Sequence, residues 1–319
     1  MTDDAPWAAD STIIVDGEPE PYASPVALLR SENSSARLKF RVPPVSLRRR
    51  YRQGATVEFV WRGNRLFLGY VPAVGARLNV HDVGGVDMEA HDIVGVAAET
   101  TLSVGNSASS FIISTGREIG SLVDEFFERV KEGIASPGSL TVSAQGTYPA
   151  VFVKEGEETY GTKTAKAFVD DYTKLAFDDT VYPEPPLLYE YQQRGAGLVW
   201  RKQLQKTMAN VSAYISIGSD AVIGGRTDTM PIYTDAVVIT KDGARWHHSD
   251  QDARRRWGGR SAFAPAASTK TISTADAQEL AVRTVELAKR ERTSLTLSTG
   301  RTMAHLYPGD IVAIYGGDA

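Results

Sequence analysis

The feature that most restricts the fold of this chain is a succession of short segments in which apolar and polar residues alternate. Ala36–Val42 alternates residue by residue, which is the period expected of a strand with one buried face. An earlier segment, Thr12–Val15, is rich in β-branched residues and ends at Asp16-Gly17, a dipeptide typical of tight turns. The N-terminal part of the chain is therefore predicted to be β-structure.

A hairpin pattern follows these two segments. Ala55–Trp61 and Arg65–Val71 both alternate, and Arg62-Gly63-Asn64 separates them, with Gly63-Asn64 predicted to form the turn. Two further strand-like segments lie at 76–80 and 92–98. Because this region shows almost no helical periodicity, it is predicted to close as a small barrel or sandwich.

Helical periodicity first appears after residue 100. In Ile119–Lys131 apolar side chains recur every three or four residues and form one stripe, and Lys163–Ala176 has the same spacing. Strand-like segments accompany these two helices, at 101–104, 110–114 and 139–143. The middle of the chain is therefore predicted to be a mixed α/β region.

Strands return in the C-terminal part of the chain, at Val211–Ile217 and Asp235–Thr240. Residues 244–267 follow no regular pattern and are predicted to be irregular. Ser273 is a good N-cap with Asp276 three residues later, which predicts the start of a helix. Two more strands are predicted at 294–298 and 308–315, the second beginning at a Pro-Gly turn.

Together these patterns predict a mainly β chain with an α+β insertion, in which two small β-barrel domains flank a mixed α/β region. The predicted domains are a flexible N-terminal arm (1–10), a first β-barrel (11–99), an inserted mixed α/β domain (100–203), and a second β-barrel (204–319) with one helix at about 274–290.

Composition excludes several kinds of function. The sequence has no cysteine, so it has no disulfides, thiolate metal sites or thiol nucleophiles. Its net charge of −4 provides no overall positive field toward nucleic acid or anionic membranes. The acidic, polar N-terminus predicts no classical export signal, and no window approaches the roughly 18 apolar residues that span a bilayer.

The sequence also lacks the common catalytic motifs. We find no phosphate-binding loop, nucleophile elbow, HExxH zinc motif or EF-hand loop. Gly195-Ala196-Gly197 lacks the third glycine of a dinucleotide-binding motif, and no strand is predicted before it. The chain is therefore expected to have no enzymatic activity and to need no cofactor.

Histidines and carboxylates are concentrated between His81 and Asp92, where His-Asp occurs twice. These are plausible metal ligands, but their spacing matches no known zinc or calcium pattern, so a solvated loop is favoured over a metal site. His247-His248 follows Trp246 in a stretch predicted to be rich in turns, and His305 is predicted to lie in a loop or to pack.

Two arginine clusters are candidate interface or channel-facing residues: Arg48, Arg49, Arg50 and Arg52, and Arg254, Arg255, Arg256 and Arg260. Tyr51 and Trp257 are interleaved with them, as aromatic residues often are on nucleic-acid-binding surfaces. A solvated face, or arginines paired with carboxylates of a neighbouring subunit, is the favoured interpretation, because phosphate attraction needs a concentrated basic field.

The C-terminal third carries an ordered set of motifs: Thr234–Gly243, Arg255–Arg260, Ser273–Gln278, Leu295–Ser298 and Leu306–Val312. In order and spacing these resemble the tail-hub proteins of tailed phages and contractile injection machines, that is, the baseplate hub and late-control-protein family and the equivalent minor tail proteins of long-tailed phages. The match covers roughly 90 residues well. Elsewhere the order of the predicted domains supports it.

This resemblance implies tail-tube-like barrels and a homotrimeric ring whose six barrels give pseudo-six-fold symmetry. Such a hub joins a six-fold tail tube to a distal tip and lines the channel for tape-measure protein and DNA. The implied partners are the tail tube or distal tail protein, the tape-measure protein and the tip or spike proteins, with DNA present in transit and no membrane insertion. The implied location is the virion tail, assembled in the host cytoplasm.

Two other functions are compatible with the residues. A carbohydrate- or receptor-binding β-barrel of a tail or adhesin would use exposed aromatic side chains, and Trp61, Trp246 and Trp257 lie near predicted turns. A hydrolase would have to use the His81–Asp92 cluster. The tail-hub interpretation is favoured over both.

Overall fold

The structure, a computed structural model, describes residues 10–20, 23–31, 33–42, 51–72, 76–77, 86–101, 111–113, 118–132, 134, 140–144, 157–159, 164–175, 177–178, 187–202, 204, 207–228, 232–239, 243–259, 261–263, 274–288, 293–299, 303 and 305–316. Within these ranges the chain is mainly β, with 21 strands and five α-helices, which confirms the predicted class. The predicted N-terminal arm, apart from Asp10, lies outside the described residues.

The N-terminal strands form a single sheet. They are β1 (Ser11–Val15), β2 (Glu18–Pro19), β3 (Ser24–Leu29), β4 (Arg37–Val42), β5 (Thr56–Trp61), β6 (Asn64–Tyr70), β7 (Ala76–Arg77) and β8 (Val86–His91). Their order is β2-β1-β5-β6-β8-β4-β3, and β7 pairs with β8. The alternation predicted for β4 is confirmed, because Leu38, Phe40 and Val42 are buried while the residues between them are more exposed.

Two tight turns were predicted in this sheet, and one of them is shifted by one residue. Asp16 and Gly17 have positive φ and join β1 to β2, as predicted. Between β5 and β6, however, the turn residues are Arg62 and Gly63, with φ of 49° and 76°, and Asn64 already belongs to β6. Arg62 is held in this conformation by bonds to Asp10 from its backbone N–H (3.0 Å) and its Nε (3.1 Å).

The sheet curls so that its ends approach each other. β3, at one end of the strand order, contacts β1 near the other end. Among the described strands no ladder joins β3 to β1 or β2, so this part of the chain does not show a closed barrel. The predicted arrangement of two barrels therefore stays a prediction.

The prediction of a strand at 92–98 is wrong. Residues Ile93–Glu99 form a helix, α1, and the strand is the preceding segment β8, which was assigned to a solvated loop. Asp92 is the N-cap, because its carboxylate accepts the N–H of Gly95 (3.1 Å), and Gln193 accepts the N–H of Ile93 (3.0 Å). These bonds satisfy the first turn of the helix, and burial of Ile93 and Val94 then outweighs the β-preference of branched residues.

The middle region packs helices on a second sheet. Its elements are β9 (Phe111–Ile113), α2 (Ile119–Glu132), β10 (Thr141–Ala144), β11 (Glu157–Thr159), α3 (Ala165–Leu175), β12 (Phe177–Asp178), β13 (Leu187–Arg194) and β14 (Gly197–Lys202). The predicted stripe of α2 is buried, and its Phe126 lies 5.4 Å from the ring of Phe168 on α3. The same core contains residues of α1 and Leu68 of β6, so the two sheets share buried contacts.

The hairpin of β13 and β14 was not predicted. It lies at the centre of a sheet ordered β10-β14-β13-β12, and it turns at Gly195 (φ 58°). A strand therefore does precede Gly195-Ala196-Gly197, contrary to the sequence prediction, and the glycines serve a turn. The sequence of β13 does not alternate between apolar and polar residues, because the polar residues Glu190, Gln192 and Gln193 occupy buried positions.

Residues 207–316, where described, form what we call the C-terminal unit, and described residues 10–202 form the body. The unit begins with a 3-10 turn, Met208–Asn210, and contains β15 (Val211–Ser216), β16 (Ala221–Asp228), β17 (Asp235–Ile239), β18 (Arg245–Ser249), α4 (Gln251–Trp257), β19 (Ser261–Phe263), α5 (Thr274–Ala288), β20 (Thr293–Thr299) and β21 (Ile311–Tyr315). Its pairings are β15 with β21, β16 with β20, and β18-β17-β19, and α5 packs on β17 and β18.

The prediction of an irregular stretch at 244–267 is wrong for its described part, which contains β18, α4 and β19. β18 reads Arg-Trp-His-His-Ser and has no apolar alternation, and α4 has no apolar stripe. Helix α4 is instead started by Asp250, whose Oδ1 accepts the N–H groups of Asp252 (3.0 Å) and Ala253 (2.9 Å). In the part of the chain that the structure describes, no helix is long and apolar enough to cross a membrane.

Gly69→Ala is expected to lower the free energy of unfolding by about 2 kcal/mol, because a Cβ there overpacks the first sheet. The added atom would lie 2.3 Å from the ring of Phe67 and 2.6 Å from the carbonyl oxygen of His91. Urea unfolding measures the change. Gly224→Ala is the matched control, since its Cβ would meet Thr296 at an ordinary 3.5 Å; an equal loss in both variants would contradict the packing argument.

Candidate functional site

The two predicted arginine clusters are only partly described. Arg48, Arg49, Arg50 and Arg260 lie outside the described residues. Arg52 is exposed, directly before the turn that leads into β5. Arg254, Arg255 and Arg256 are exposed in the last turn of α4. Their assignment as interface or channel-facing residues stays a prediction.

Each arginine of α4 has a different neighbour. Arg254 Nη1 lies 3.4 Å from Asp235 Oδ1, Arg255 pairs with Asp252, and Arg256 lies 4.7 Å from the ring centroid of Trp257. Positive side chains also complement the negative end of a helix dipole. The cluster therefore has a structural role at the end of α4, whatever else it contacts.

Asp235 is the buried anchor of this surface. Its carboxylate accepts the hydroxyl of Thr234 (2.7 Å) and lies 3.4 Å from His247 Nε2. Burial by itself would raise the pKa of Asp235, but the hydrogen bonds of Thr234 and Ser249, with the charges of Arg254 and His247, hold it below its ordinary value. A charged Asp235 thus fixes Arg254 and His247 on the surface of β17 and β18.

The described part of the His81–Asp92 cluster does not form a metal site. Among the residues that the structure describes, no group of three or more histidine, aspartate or glutamate side chains could hold an ion. His91 Nε2 instead lies 3.0 Å from Glu89 Oε1, which also pairs with Arg37 at 3.5 Å. Asp92 points away into the interior, where it caps α1.

The three tryptophans proposed for sugar binding lie in different environments. Arg62 lies over the ring of Trp61, and Arg256 over that of Trp257, each 4.7 Å from the ring centroid. Trp246 is part-buried and packs against the small core of the C-terminal unit. The carbohydrate-binding alternative stays a prediction.

An apolar surface on the C-terminal unit was not predicted. Large hydrophobic side chains are exposed on β15, β16 and β21: Tyr214, Val222, Ile223, Ile314 and Tyr315. Tyr214 and Tyr315 lie on the same side of the β15–β21 pair, and we call them the tyrosine pair; Ile314 lies on the other side, opposite Ile215. The rings of Tyr214 and Tyr315 stack with centroids 5.8 Å apart across the parallel pair of β15 and β21. Exposed apolar surface of this kind is typical of protein interfaces.

A second unpredicted feature joins the C-terminal unit to the body through the turn Leu306–Asp310. Arg30 Nη1 donates to the carbonyl of Leu306 (2.9 Å), and its Nη2 donates to that of Leu66 (2.6 Å). Gln192 Nε2 donates to the carbonyl of Pro308 (2.8 Å). The hydroxyl of Tyr307 accepts the N–H of Gly195 (3.0 Å), at the tip of the β13–β14 hairpin.

Charged side chains surround this turn. Arg194 Nη2 donates to Asp310 Oδ1 (2.7 Å), and Arg201 Nη2 lies 3.6 Å from the same oxygen. Arg201 Nε also donates to Glu190 Oε1 (2.8 Å). The guanidinium groups of Arg30 and Arg194 lie 4.0 and 5.0 Å from the ring centroid of Tyr307. Burial lowers the pKa of Arg30.

The sequence predicted this turn but not its contacts with the body. Pro308-Gly309 predicted a turn before β21, and this is confirmed, since Gly309 has φ of 80°. Its partners, Arg30 and Arg194, are 276 and 116 residues away from their contacts in sequence, so no local pattern connects them.

The fold of this chain is similar to the folds of two tail proteins of known structure. It matches a 43 kDa tail protein of prophage MuSo2 from Shewanella oneidensis over 96% of this chain and 88% of that chain, with a TM-score of 0.58 and 11% identity. It also matches a tail protein from Neisseria meningitidis MC58 over 96% of this chain and 86% of that chain, with a TM-score of 0.57 and 10% identity.

No family model and no curated protein matches the sequence itself. At 10 and 11% identity the likeness concerns the fold. The resemblance to phage tail proteins, which rested on motifs of the C-terminal third, is thereby confirmed over nearly the whole chain.

Proposed function

We propose that this protein is a structural subunit of a phage-type tail, and specifically a hub at the tail tip or baseplate. The observation that carries the proposal is the match in fold to two tail proteins over 96% of the chain. It includes the body as well as the C-terminal unit, whose motifs resemble tail hubs. In this role the chain would be a virion tail component, assembled in the host cytoplasm, that turns over no substrate.

The finer proposal is a homotrimeric ring. Two barrels in each of three subunits would present a pseudo-six-fold surface to the six-fold tail tube and a three-fold surface to the distal tip. The ring would line the channel for tape-measure protein and for DNA in transit. The curled first sheet, whose end strand contacts β1, supports the first of these barrels.

The tyrosine pair, Tyr214 and Tyr315, supports association between copies of the chain. Tyr214 and Tyr315 are 52% and 49% exposed. Large side chains exposed side by side on adjacent strands are typical of surfaces that bind another protein. The two strands that carry them form a two-stranded sheet within the described residues, which leaves outer strand edges for pairing. Ring closure would cover both the rings and the edges.

The double variant Tyr214→Glu/Tyr315→Glu is expected to shift the protein from a species of about three times 34.6 kDa to the monomer, because two added carboxylates would be taken out of water at each contact of the ring. Light scattering after size-exclusion chromatography measures the mass of the purified chain. Native mass measurement of the tail particle covers the case in which the ring forms only with a partner tail protein.

The control adds the same two charges at exposed polar positions, Gln251→Glu/Gln278→Glu, and is expected to keep the oligomer. Circular dichroism of both variants checks that the sheets are intact. A compact monomer of the unmodified chain, both alone and within purified tails, would refute the ring.

A further inference from the structure

Five consecutive residues, Leu306–Asp310, carry hydrogen bonds, an ion pair and ring contacts from the C-terminal unit to the body. They contact both the first sheet and the mixed α/β region of the body, since Arg30 follows β3 and Arg194 ends β13. We propose that this turn is a latch: docked, it fixes the C-terminal unit on the body, and released, it lets the two reorient while each stays folded. The proposal concerns the isolated chain and does not depend on its role in a tail.

The two sides of the latch have separate cores, so that release does not require unfolding. In the body, Leu68, α1, α2 and β13 contribute to one apolar cluster that links the first sheet to the mixed region. In the C-terminal unit, Val238 packs with Ala277 and Ala281 of α5. The contacts of the turn are polar and aromatic instead, which is the character of surfaces that separate reversibly.

A single carboxylate couples the shape of the turn to its docking. Asp310 Oδ2 accepts the N–H of Tyr307 (2.8 Å), and the N–H of Asp310 donates back to the carbonyl of Tyr307 (3.0 Å), which closes the turn on itself. The other oxygen of the same group, Oδ1, binds Arg194 of the body. The turn is thus preformed to present one charge to the body.

The fit also requires a residue without a side chain at position 309. Gly309 has φ of 80°, and a Cβ there would lie 2.3 Å from Glu190 Oε2 of the body. Tyr307 fills the space next to it, between the guanidinium groups of Arg30 and Arg194. Gly309→Ala is therefore expected to push the turn off the β13–β14 hairpin.

Spin labels can report the distance between the two units directly, because the chain has no cysteine of its own. Lys39→Cys on the body and Gln278→Cys on the C-terminal unit are both exposed and give the inter-unit distance. Lys39→Cys with Glu132→Cys, and Asp252→Cys with Gln278→Cys, give one distance within each unit. Pulsed electron double resonance is measured with labelled chain diluted in unlabelled chain, so that distances between copies do not contribute.

Gly309→Ala is expected to broaden and shift the inter-unit distance distribution and to leave both intra-unit distributions unchanged. Gly218→Ala is the matched control, since Gly218 has φ of 95° in the same unit but no atom within 4 Å of an added Cβ. It should behave like the unmodified chain. Asp310→Asn, which keeps the size of the side chain and removes the negative charge that binds Arg194, is expected to act like Gly309→Ala.

Two results would overturn the latch. An inter-unit distribution that is unchanged in both Gly309→Ala and Asp310→Asn would show that other contacts fix the C-terminal unit. Broadening of the Asp252–Gln278 distribution in either variant would show that the turn is part of the fold of the unit rather than a device that holds it.

Discussion

Arg201→Met is expected to lower the free energy of unfolding by about 3 to 5 kcal/mol, since it leaves a buried carboxylate without its guanidinium partner. Arg201 and Glu190 lie directly opposite each other on β14 and β13, with 2.8 Å between Nε and Oε1. The Glu190 side chain is 1% exposed, so water cannot take the place of the lost partner. Urea unfolding, followed by the fluorescence of the five tryptophans, measures the change.

Two controls separate lost charge pairing from lost packing. Glu190→Gln/Arg201→Met removes both charges while keeping the shape of residue 190, and it should recover most of the lost stability. Arg129→Met breaks an exposed pair with Glu125 on α2, where Nη2 and Oε1 are 2.6 Å apart, and it should cost about 0.5 kcal/mol or less. A double variant as unstable as Arg201→Met alone would assign the effect to packing.

The sequence predicted elements best where a single period decides the structure. β4 alternates because one of its faces is buried, and α2 carries a stripe because one of its sides is buried, so each pattern has one interpretation. The turn at Asp16-Gly17 was likewise local, because positive φ at both positions is available to these two residue types.

Helix α1 shows why other elements were missed. Its apolar residues are nearly continuous, which does not distinguish a buried strand from a buried helix. Its first turn is satisfied in part by the adjacent N-cap Asp92 and in part by Gln193, which is 100 residues away from Ile93 in sequence. A rule based on neighbouring residues cannot include such a partner.

Even less of the candidate site than of the fold could be predicted from the sequence. The latch and the pair of Arg201 and Glu190 are built from charged residues that are buried, as Glu190 is, or partly buried, whereas sequence patterns equate charge with exposure. The arginines of α4 were found because they are adjacent in sequence, and they are the exposed ones. The partly buried arginines, Arg30, Arg194 and Arg201, are isolated in sequence and come together only in the fold.

The buried carboxylate of Asp92 is expected to make the stability of the fold depend on pH. It accepts the N–H of Ala36 (2.9 Å), the hydroxyl of Ser35 (3.0 Å) and the N–H of Gly95 (3.1 Å). Burial nevertheless outweighs these bonds and raises the pKa of Asp92 to about 6, from an ordinary 3.8. The folded state therefore binds a proton at this group more readily than the unfolded state does.

The sign of the effect follows from this order of the pKa values. Between about pH 4 and pH 6 the folded chain holds a proton on Asp92 that the unfolded chain has lost, so this group stabilises the fold progressively as the pH falls. The stabilisation is complete below the unfolded pKa and is lost as the pH rises through about 6. The difference between the two pKa values corresponds to about 3 kcal/mol.

Asp92→Asn and Asp92→Ser provide the comparison, because neither side chain titrates and both residue types can cap a helix. The free energy of unfolding of the unmodified chain should rise by about 2.4 kcal/mol relative to either variant as the pH is lowered from 7 to 4, which is most of the full difference. Urea unfolding at half-unit pH steps measures this difference. The other titrating groups are the same in all three proteins, so their contributions to the free energy of unfolding cancel. Parallel profiles of all three proteins would show that water reaches Asp92 in the folded chain, and that the junction of β4 and α1 opens around it.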